Sequence, residues 1–338
     1  MKTVLLTGVT GFLGGHLAVA LLRAGYKVRG SLRTPSRGAE TAKAIAEAGG
    51  DVSNLEFVEL DLTKDEGWAE ACAGVDYLVH AASPFVTSMP KDKAALINPA
   101  VDGTRRALTA ARDAGVARVV LTSSIAAIVP GRGRAGPTHL DGTDWADPDG
   151  HVNAYVESKI RAEKKAWDIL KPGTTKTELA VINPAFIVGP LLDSDPGTSG
   201  ALFQRLLRGE VPIAPHLYMH SVDVRDLARM HVAALTAPAA AGVRTIASFE
   251  VYSIMQIATC LKKAFPAYSK KMPRFQAPDW FIRLYALVDA DVRGSVKELG
   301  YNPILDEAPG RALLGRAPIR LADSYIATAQ SLIERNLV

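Results

Sequence analysis

Tyr155 and Lys159 stand four residues apart in the segment AYVESK, which reads as helix, in a chain that opens VLLTGVTGFLGGHL. Residues at that spacing share one helix face, so the Lys159 ammonium can approach both the Tyr155 phenol and a nucleotide ribose beneath it. Such a pair suits proton delivery beside a hydride donor. A phenol ordinarily titrates at about 10, and a neighbouring ammonium favours its ionised form electrostatically. Upstream, LTSSIAA puts Thr122, Ser123 and Ser124 at the end of a strand-like run. There Ser124 could hydrogen-bond a substrate carbonyl, although hydroxyls at a strand end also serve as caps and turns. A long loop between Ser124 and Tyr155 can fold back over a pocket.

The opening TGVTGFLG sets Gly8, Gly11 and Gly14 between the first strand and the first helix. Glycine suits a backbone that turns sharply, approaches a pyrophosphate closely and packs helix on strand, and the free amides of a helix start attract phosphate. The spacing GxxGxxG in this position predicts a dinucleotide. After the second strand the chain reads GSLRTPSRG, with Ser31, Arg33 and Arg37 where an NAD site usually carries an acid. A guanidinium fork matches a 2′-phosphate, so NADP(H) is expected. Asp61 and Leu62, just past the third strand, are placed to meet the adenine, or Asp61 caps the following helix.

Other chemistries lack their patterns. The seven histidines, His16, His80, His139, His151, His216, His220 and His231, show no HExxH spacing, and there is no GxSxG elbow or GxxxxGK[ST] loop. His80 reads as a structural hydrogen-bonder, and DSDPG at 193–197 is only a fragment of a calcium loop, so no metal is expected. Cys72 and Cys260 are too few and too far apart for a disulfide framework or a metal pattern. Lys plus Arg exceed Asp plus Glu by 39 to 35, a net charge of +4 with the basic residues scattered, so no nucleic-acid partner is expected. No apolar stretch approaches the roughly 20 residues of a membrane span, and the start shows no signal core. A soluble, cytoplasmic, unprocessed protein is the expectation, as monomer or homodimer.

The elements that must position these residues alternate. Strand-like runs at 3–7, 27–32, 55–60, 75–81, 118–123 and 178–184 are separated by helical patterns closed by Gly25, Gly49, Gly74 and Gly115. The runs lack clean alternation, as in strands covered on both faces. The 338 residues, 48% hydrophobic, leave ample material for a core, and the alternation predicts an α/β fold: a doubly wound parallel Rossmann sheet with a smaller C-terminal α/β substrate lobe. The NADP-binding region is expected at 1–185 and the substrate-binding lobe at 186–338, interleaved as one unit. Helices are expected at 202–207 and around DLARMHVAAL, YSIMQIATCLKKAF, DWFIRLYALV and LADSYIATAQSLIER, with MHSVDV extended.

In order along the chain, TGVTGFLGGHL, HAASPF, PAVDGT, RVVLTSS, NAYVESK, INPAFIVGP, VDVRDLARMHV and LADSYIATAQSLI resemble the extended short-chain dehydrogenase/reductase superfamily. Within it the chain is similar to the dihydroflavonol 4-reductase group, which includes aldehyde and ketone reductases. The resemblance implies catalytic roles for Ser124, Tyr155 and Lys159. It implies cofactor contacts from Gly8, Thr10, Gly11, Phe12, Leu13, Gly14, Arg33, Arg37, Asp61, Leu62, Ala81, Ala82, Ser83, Thr122, Lys159, Pro184, Ile187 and Val188. Phe85, Val129, Phe186, Phe203 and Tyr218 would wall an apolar pocket for an aromatic or alkyl group beside a ketone or aldehyde. The chain departs from relatives at Ala100, where many carry asparagine, at Val129, where plant flavonoid reductases carry a polar residue, and in HVNAYVESK, which lacks the cinnamoyl-CoA reductase signature. The implied activity is NADPH-dependent reduction of a small carbonyl compound, reversible to alcohol oxidation. A nucleotide-sugar epimerase or dehydratase would share the catalytic trio, and an NADP-sensing regulator would share the fold without the tyrosine or lysine.

Overall fold

The computed structural model describes residues 1–84, 92–129, 136, 138–150, 152–287 and 296–338. The first half alternates β1 (Thr3–Thr7), α1 (Phe12–Arg23), β2 (Lys27–Leu32), α2 (Gly38–Glu47), β3 (Leu55–Glu59), α3 (Trp68–Cys72), β4 (Tyr77–His80), α4 (Ala94–Asp113) and β5 (Arg118–Thr122). There follow β6 (His139–Leu140), α5 (Ala154–Ile169), β7 (Glu178–Pro184), β8 (Phe186–Val188), α6 (Gly197–Arg208), β9 (Tyr218–Asp223) and α7 (Val224–Ala234). Then come β10 (Arg244–Ala247), β11 (Glu250–Ser253), α8 (Ile254–Ala264), α9 (Asp279–Tyr285), β12 (Ile304–Leu305) and two further helices, Ala308–Leu314 and Leu321–Glu334.

Seven of the strands form one parallel sheet in the order β10-β7-β5-β4-β1-β2-β3. Both its faces are covered, which explains the unbroken apolar runs. Val4 and Leu6 of β1 point into a core shared with Leu17 and Leu21 of α1 and Leu227 of α7. Leu5 between them points the other way, into a core with Ala107 and Leu108 of α4. The glycines expected to close helices do so in the left-handed region, with φ of 82° at Gly25, 84° at Gly49, 69° at Gly74 and 74° at Gly115.

The sheet takes a strand from beyond residue 185, since β10 pairs with β7 at its edge. The rest of that region builds a three-stranded sheet, β11-β9-β8, on which the helix Leu321–Glu334 packs. Polar ties fix the packing: Ser324 Oγ donates to Asp223 Oδ2 at 2.6 Å, Tyr325 Oη donates to Ser221 Oγ at 3.1 Å, and Thr328 Oγ1 accepts from the Gly189 amide at 2.8 Å. The expected helices are all present. That at 202–207 is longer, Gly197–Arg208, and β4 is shorter than 75–81 because Val75 sits in the turn that leaves α3.

Candidate active site

The turn from β1 to α1 lies at the carboxyl end of the sheet. Gly8 has a φ of +75°, and a Cβ there would stand 3.0 Å from Ala82 Cα. A Cβ on Gly14 would lie 1.9 Å from the Gly8 carbonyl oxygen, so α1 can approach the turn this closely only with glycine at that position. Gly11 caps α1 without a side-chain bond and is exposed. Thr10, Phe12 and Leu13 are part-exposed beside it, and Phe12 also packs against the lobe core. This cradle, closed to side chains and open to solvent at Gly11, fits a dinucleotide pyrophosphate.

At the end of β2 the arginines differ. Arg33 is exposed, and its charge reaches Asp61. Arg37 places Nη2 3.6 Å from Asp193 Oδ2, an acid after β8. Ser31 is buried and its Oγ accepts the Gly8 amide at 3.2 Å, so it braces the turn. Asp61 Oδ1 accepts from the Thr63 amide at 2.8 Å and hydroxyl at 2.7 Å, and these bonds hold its carboxyl below the usual range. Asp61 therefore closes a turn and does not cap the following helix, α3, whose N-cap is Gly67. Leu62 rests against Gly103 of α4.

The exit of β4 links the glycine turn to α5. Thr7 Oγ1 accepts from the Ala82 amide at 3.0 Å and bonds His80 Nδ1 at 2.9 Å. Ala81, Ala82 and Ser83 pass over the turn, and Lys159 Nζ donates to Ser83 Oγ at 3.2 Å. The same Nζ lies 5.8 Å from the centroid of the Tyr155 ring. Tyr155 sits in the first turn of α5, which Asn153 caps by accepting from the Val156 amide at 2.9 Å, and it is 38% exposed. Ser124 caps the short 3₁₀ turn Ile125–Ala127, which packs against α5. Its Oγ accepts from the Ala126 amide at 3.1 Å, which leaves the hydroxyl proton to be donated elsewhere. Thr122 Oγ1 instead pairs with His231 Nε2 at 2.8 Å.

Of the residues on β7 and β8 expected to face the cofactor, Pro184 and Val188 are buried and Ile187 is part-exposed. Of the expected pocket wall, Phe85 lies outside the described residues, and so does His151. Phe186 and Val129 are partly buried, Val129 packing on the Ile128, Leu140, Ile246 and Leu305 cluster. Tyr218 stands at the start of β9 with its ring 5.5 Å from that of His216, whose Nδ1 is 3.1 Å from Asp279 Oδ1. Phe203 needs correction as a pocket residue: it is fully buried, 5.7 Å from Tyr325 between ring centroids, because α6 turns that face into the lobe core.

Burial pushes His80 down to about 3, helped by the Lys159 charge, and His231 down to about 4. Neither is a base in the site. Both fold neutral, so they contribute stability in full above their ordinary value of 6.5, and it is lost as pH falls from there toward the folded values. The urea midpoint is expected to drop between about pH 6.5 and pH 5, and less steeply in the double variant His80→Gln, His231→Gln; equal slopes would refute the linkage.

The profile of the NAD dependent epimerase/dehydratase family matches residues 4–251. Cinnamoyl-CoA reductase 1 of Petunia hybrida is 34% identical over 270 residues, 79% of this chain and 78% of that protein. Among solved structures, yeast methylglyoxal/isovaleraldehyde reductase Gre2 complexed with NADPH aligns with a TM-score of 0.80 at 27% identity over 100% of both chains. Gre2 of Candida albicans in complex with NADPH gives 0.80 at 26% identity over 99% of each. Among the described residues no helix is long and apolar enough to cross a membrane.

Proposed function

Because the chain belongs to the NAD-dependent epimerase/dehydratase family, within the extended short-chain dehydrogenases/reductases, we propose that it reduces a ketone or aldehyde carbonyl with NADPH, and reversibly oxidises the alcohol. The observation that carries this reading is the chain of neighbours from Gly8 through Ala82 and Ser83 to Lys159 and the Tyr155 ring, which links the glycine turn to the phenol proposed as proton donor. When bound, NADPH supplies the hydride. Tyr155 delivers the proton to the carbonyl oxygen, and its exposure leaves it open to substrate. Lys159 stabilises the phenolate left behind and would hold the ribose. Ser124 donates to the carbonyl oxygen and orients it. Each is a task for which the residue has the needed group free or charged.

Gly11 and Gly14 would hold the pyrophosphate, and Arg33, exposed beyond β2, would meet the 2′-phosphate. Arg33→Ala is expected to lower the preference for NADPH over NADH by roughly 10- to 100-fold in kcat/KM, the worth of one charge-assisted contact of about 1.5 to 3 kcal/mol. A wild type indifferent to the phosphate would refute the cofactor assignment.

The two reductases solved with NADPH and the Petunia enzyme support a carbonyl substrate, a small hydrophobic or aromatic one in this reading. Following NADPH absorbance over aldehydes, ketones and hydroxycinnamoyl-CoA thioesters, with product analysis over nucleotide sugars, whose epimerisation or dehydration consumes no NADPH, tests it. Turnover of nucleotide sugars alone makes the chain an epimerase or dehydratase, and NADPH binding with no turnover at all makes it a sensor.

A further inference from the structure

Outside Ser124, Tyr155 and Lys159, a single buried carboxylate gathers the segments that carry them. Glu163 follows Lys159 by four residues on α5, so Tyr155, Lys159 and Glu163 form one stripe, yet Glu163 is 1% exposed. Its Oε2 accepts from Ser123 Oγ at 2.5 Å and from Asn183 Nδ2 at 2.9 Å. Its Oε1 accepts from Arg244 Nε at 2.5 Å and Trp167 Nε1 at 3.4 Å. Arg244, from β10, lies over the Trp145 ring at 3.7 Å to the centroid and donates to the carbonyls of Gly142 and Asp144. One carboxylate thus ties α5 to the ends of β5, β7 and β10 and to the segment that returns from Ser124 toward α5.

Asn183 is the piece that reaches the chemistry. It is fully buried and immediately precedes Pro184, and its Nδ2 donates both to Glu163 and, at 3.1 Å, to the Ser124 carbonyl oxygen. That oxygen also accepts the Ala127 amide at 3.0 Å, while Ser124 Oγ accepts the Ala126 amide. Asn183 Oδ1 is buried with no hydrogen-bond partner among the described residues. A buried amide that leaves its oxygen unpaired is a poor way to gain stability, and a buried ion pair is commonly matched by apolar residues of the same volume. What an apolar replacement cannot supply is direction.

We propose that Asn183, held by the Glu163–Arg244 pair, is a positioning residue that aims Ser124 at the substrate carbonyl. It acts through the Ser124 backbone and touches neither substrate nor cofactor in this role. The inference deepens the carbonyl-reductase reading and rests on it for its kinetic consequence.

Asn183→Leu keeps the branched shape and the number of heavy atoms and removes both donated bonds. The expected result is a kcat for carbonyl reduction lowered roughly 10- to 100-fold, the size of effect that a misplacement of about 1 Å produces. The KM for carbonyl and the Kd for NADPH should stay within about 3-fold of wild type. Amide hydrogen exchange, read without substrate, should speed up at residues 124–128 and hold elsewhere in the sheet. Glu163→Gln, isosteric and weaker as an acceptor, is expected to give the same split and serves if Asn183→Leu does not fold. A folded variant with normal kcat, or with exchange raised evenly across the sheet, overturns the proposal. A wild type that binds NADPH and reduces no carbonyl defeats the reductase reading instead, while loosening confined to 124–128 still supports this one.

Discussion

Tyr155→Phe is expected to lower kcat for carbonyl reduction by at least roughly 10² to 10⁴-fold, the contribution of a positioned general acid, with folding and NADPH affinity nearly intact. The ring sits half out of the protein at the start of α5, where Asn153 and not the phenol secures the helix, so the hydroxyl is dispensable to the fold. Lys159→Ala should differ in kind. Its Nζ holds Ser83, on the strand exit that covers the glycine turn, and faces the Tyr155 ring, so both turnover and cofactor affinity should suffer. The double variant should be far less impaired than the product of the two single effects, since the second loss finds the proton path already broken. Near-normal kcat in Tyr155→Phe, with chemistry rate-limiting, would move the proton donor elsewhere and undo the proposed mechanism.

The parts of this arrangement that could be read along the chain are those made by neighbours in sequence. Gly8, Gly11 and Gly14 report a turn because each answers a local demand on the backbone, and Tyr155 and Lys159 report a shared face because a helix imposes it. The six runs read as strands correspond to β1, β2, β3, β4, β5 and β7, since strands buried on both faces concentrate β-branched and apolar residues. What escaped depends on distant partners. β8, β10 and β11 are only three or four residues long, too short to show a period, and β10 is recognisable as a sheet strand only by its pairing with β7. Phe203 looked like a pocket wall because an aromatic residue carries no mark of which face of α6 it will occupy. Ser31 and Arg37 each meet a protein group, Gly8 or Asp193, that only the fold brings there. Glu163 alone had a visible signal: it continues the Tyr155–Lys159 stripe by one more turn, a position where a charge on a solvent face and a charge in the core look alike until Arg244 arrives from 81 residues away.

Gly11→Ala and Gly14→Ala are expected to separate the two reasons for glycine in the turn. At Gly14 the obstacle is the protein itself, with a new Cβ 1.9 Å from the Gly8 oxygen and 3.0 Å from Val9 Cα, both backbone atoms that cannot swing aside. Overpacking of this kind costs about 1 to 3 kcal/mol or more, so Gly14→Ala should lower Tm by several degrees and lose NADPH binding as α1 shifts off the turn. At Gly11 the nearest atom to a new Cβ is the Gly8 oxygen at 3.5 Å, an ordinary contact, and the φ of −86° is one that alanine adopts freely. Gly11→Ala should therefore keep the wild-type Tm. Its Cβ would stand instead in the exposed space of the cradle, where the pyrophosphate is proposed to approach. Losing that approach should weaken NADPH by roughly 10- to 150-fold, the equivalent of about 1.5 to 3 kcal/mol for charge-assisted bonds to backbone amides. Fluorescence titration with NADPH beside thermal unfolding distinguishes the cases. An unchanged NADPH affinity in Gly11→Ala would mean that the phosphates lie elsewhere, and that the turn is glycine-rich only so that α1 can pack on β1.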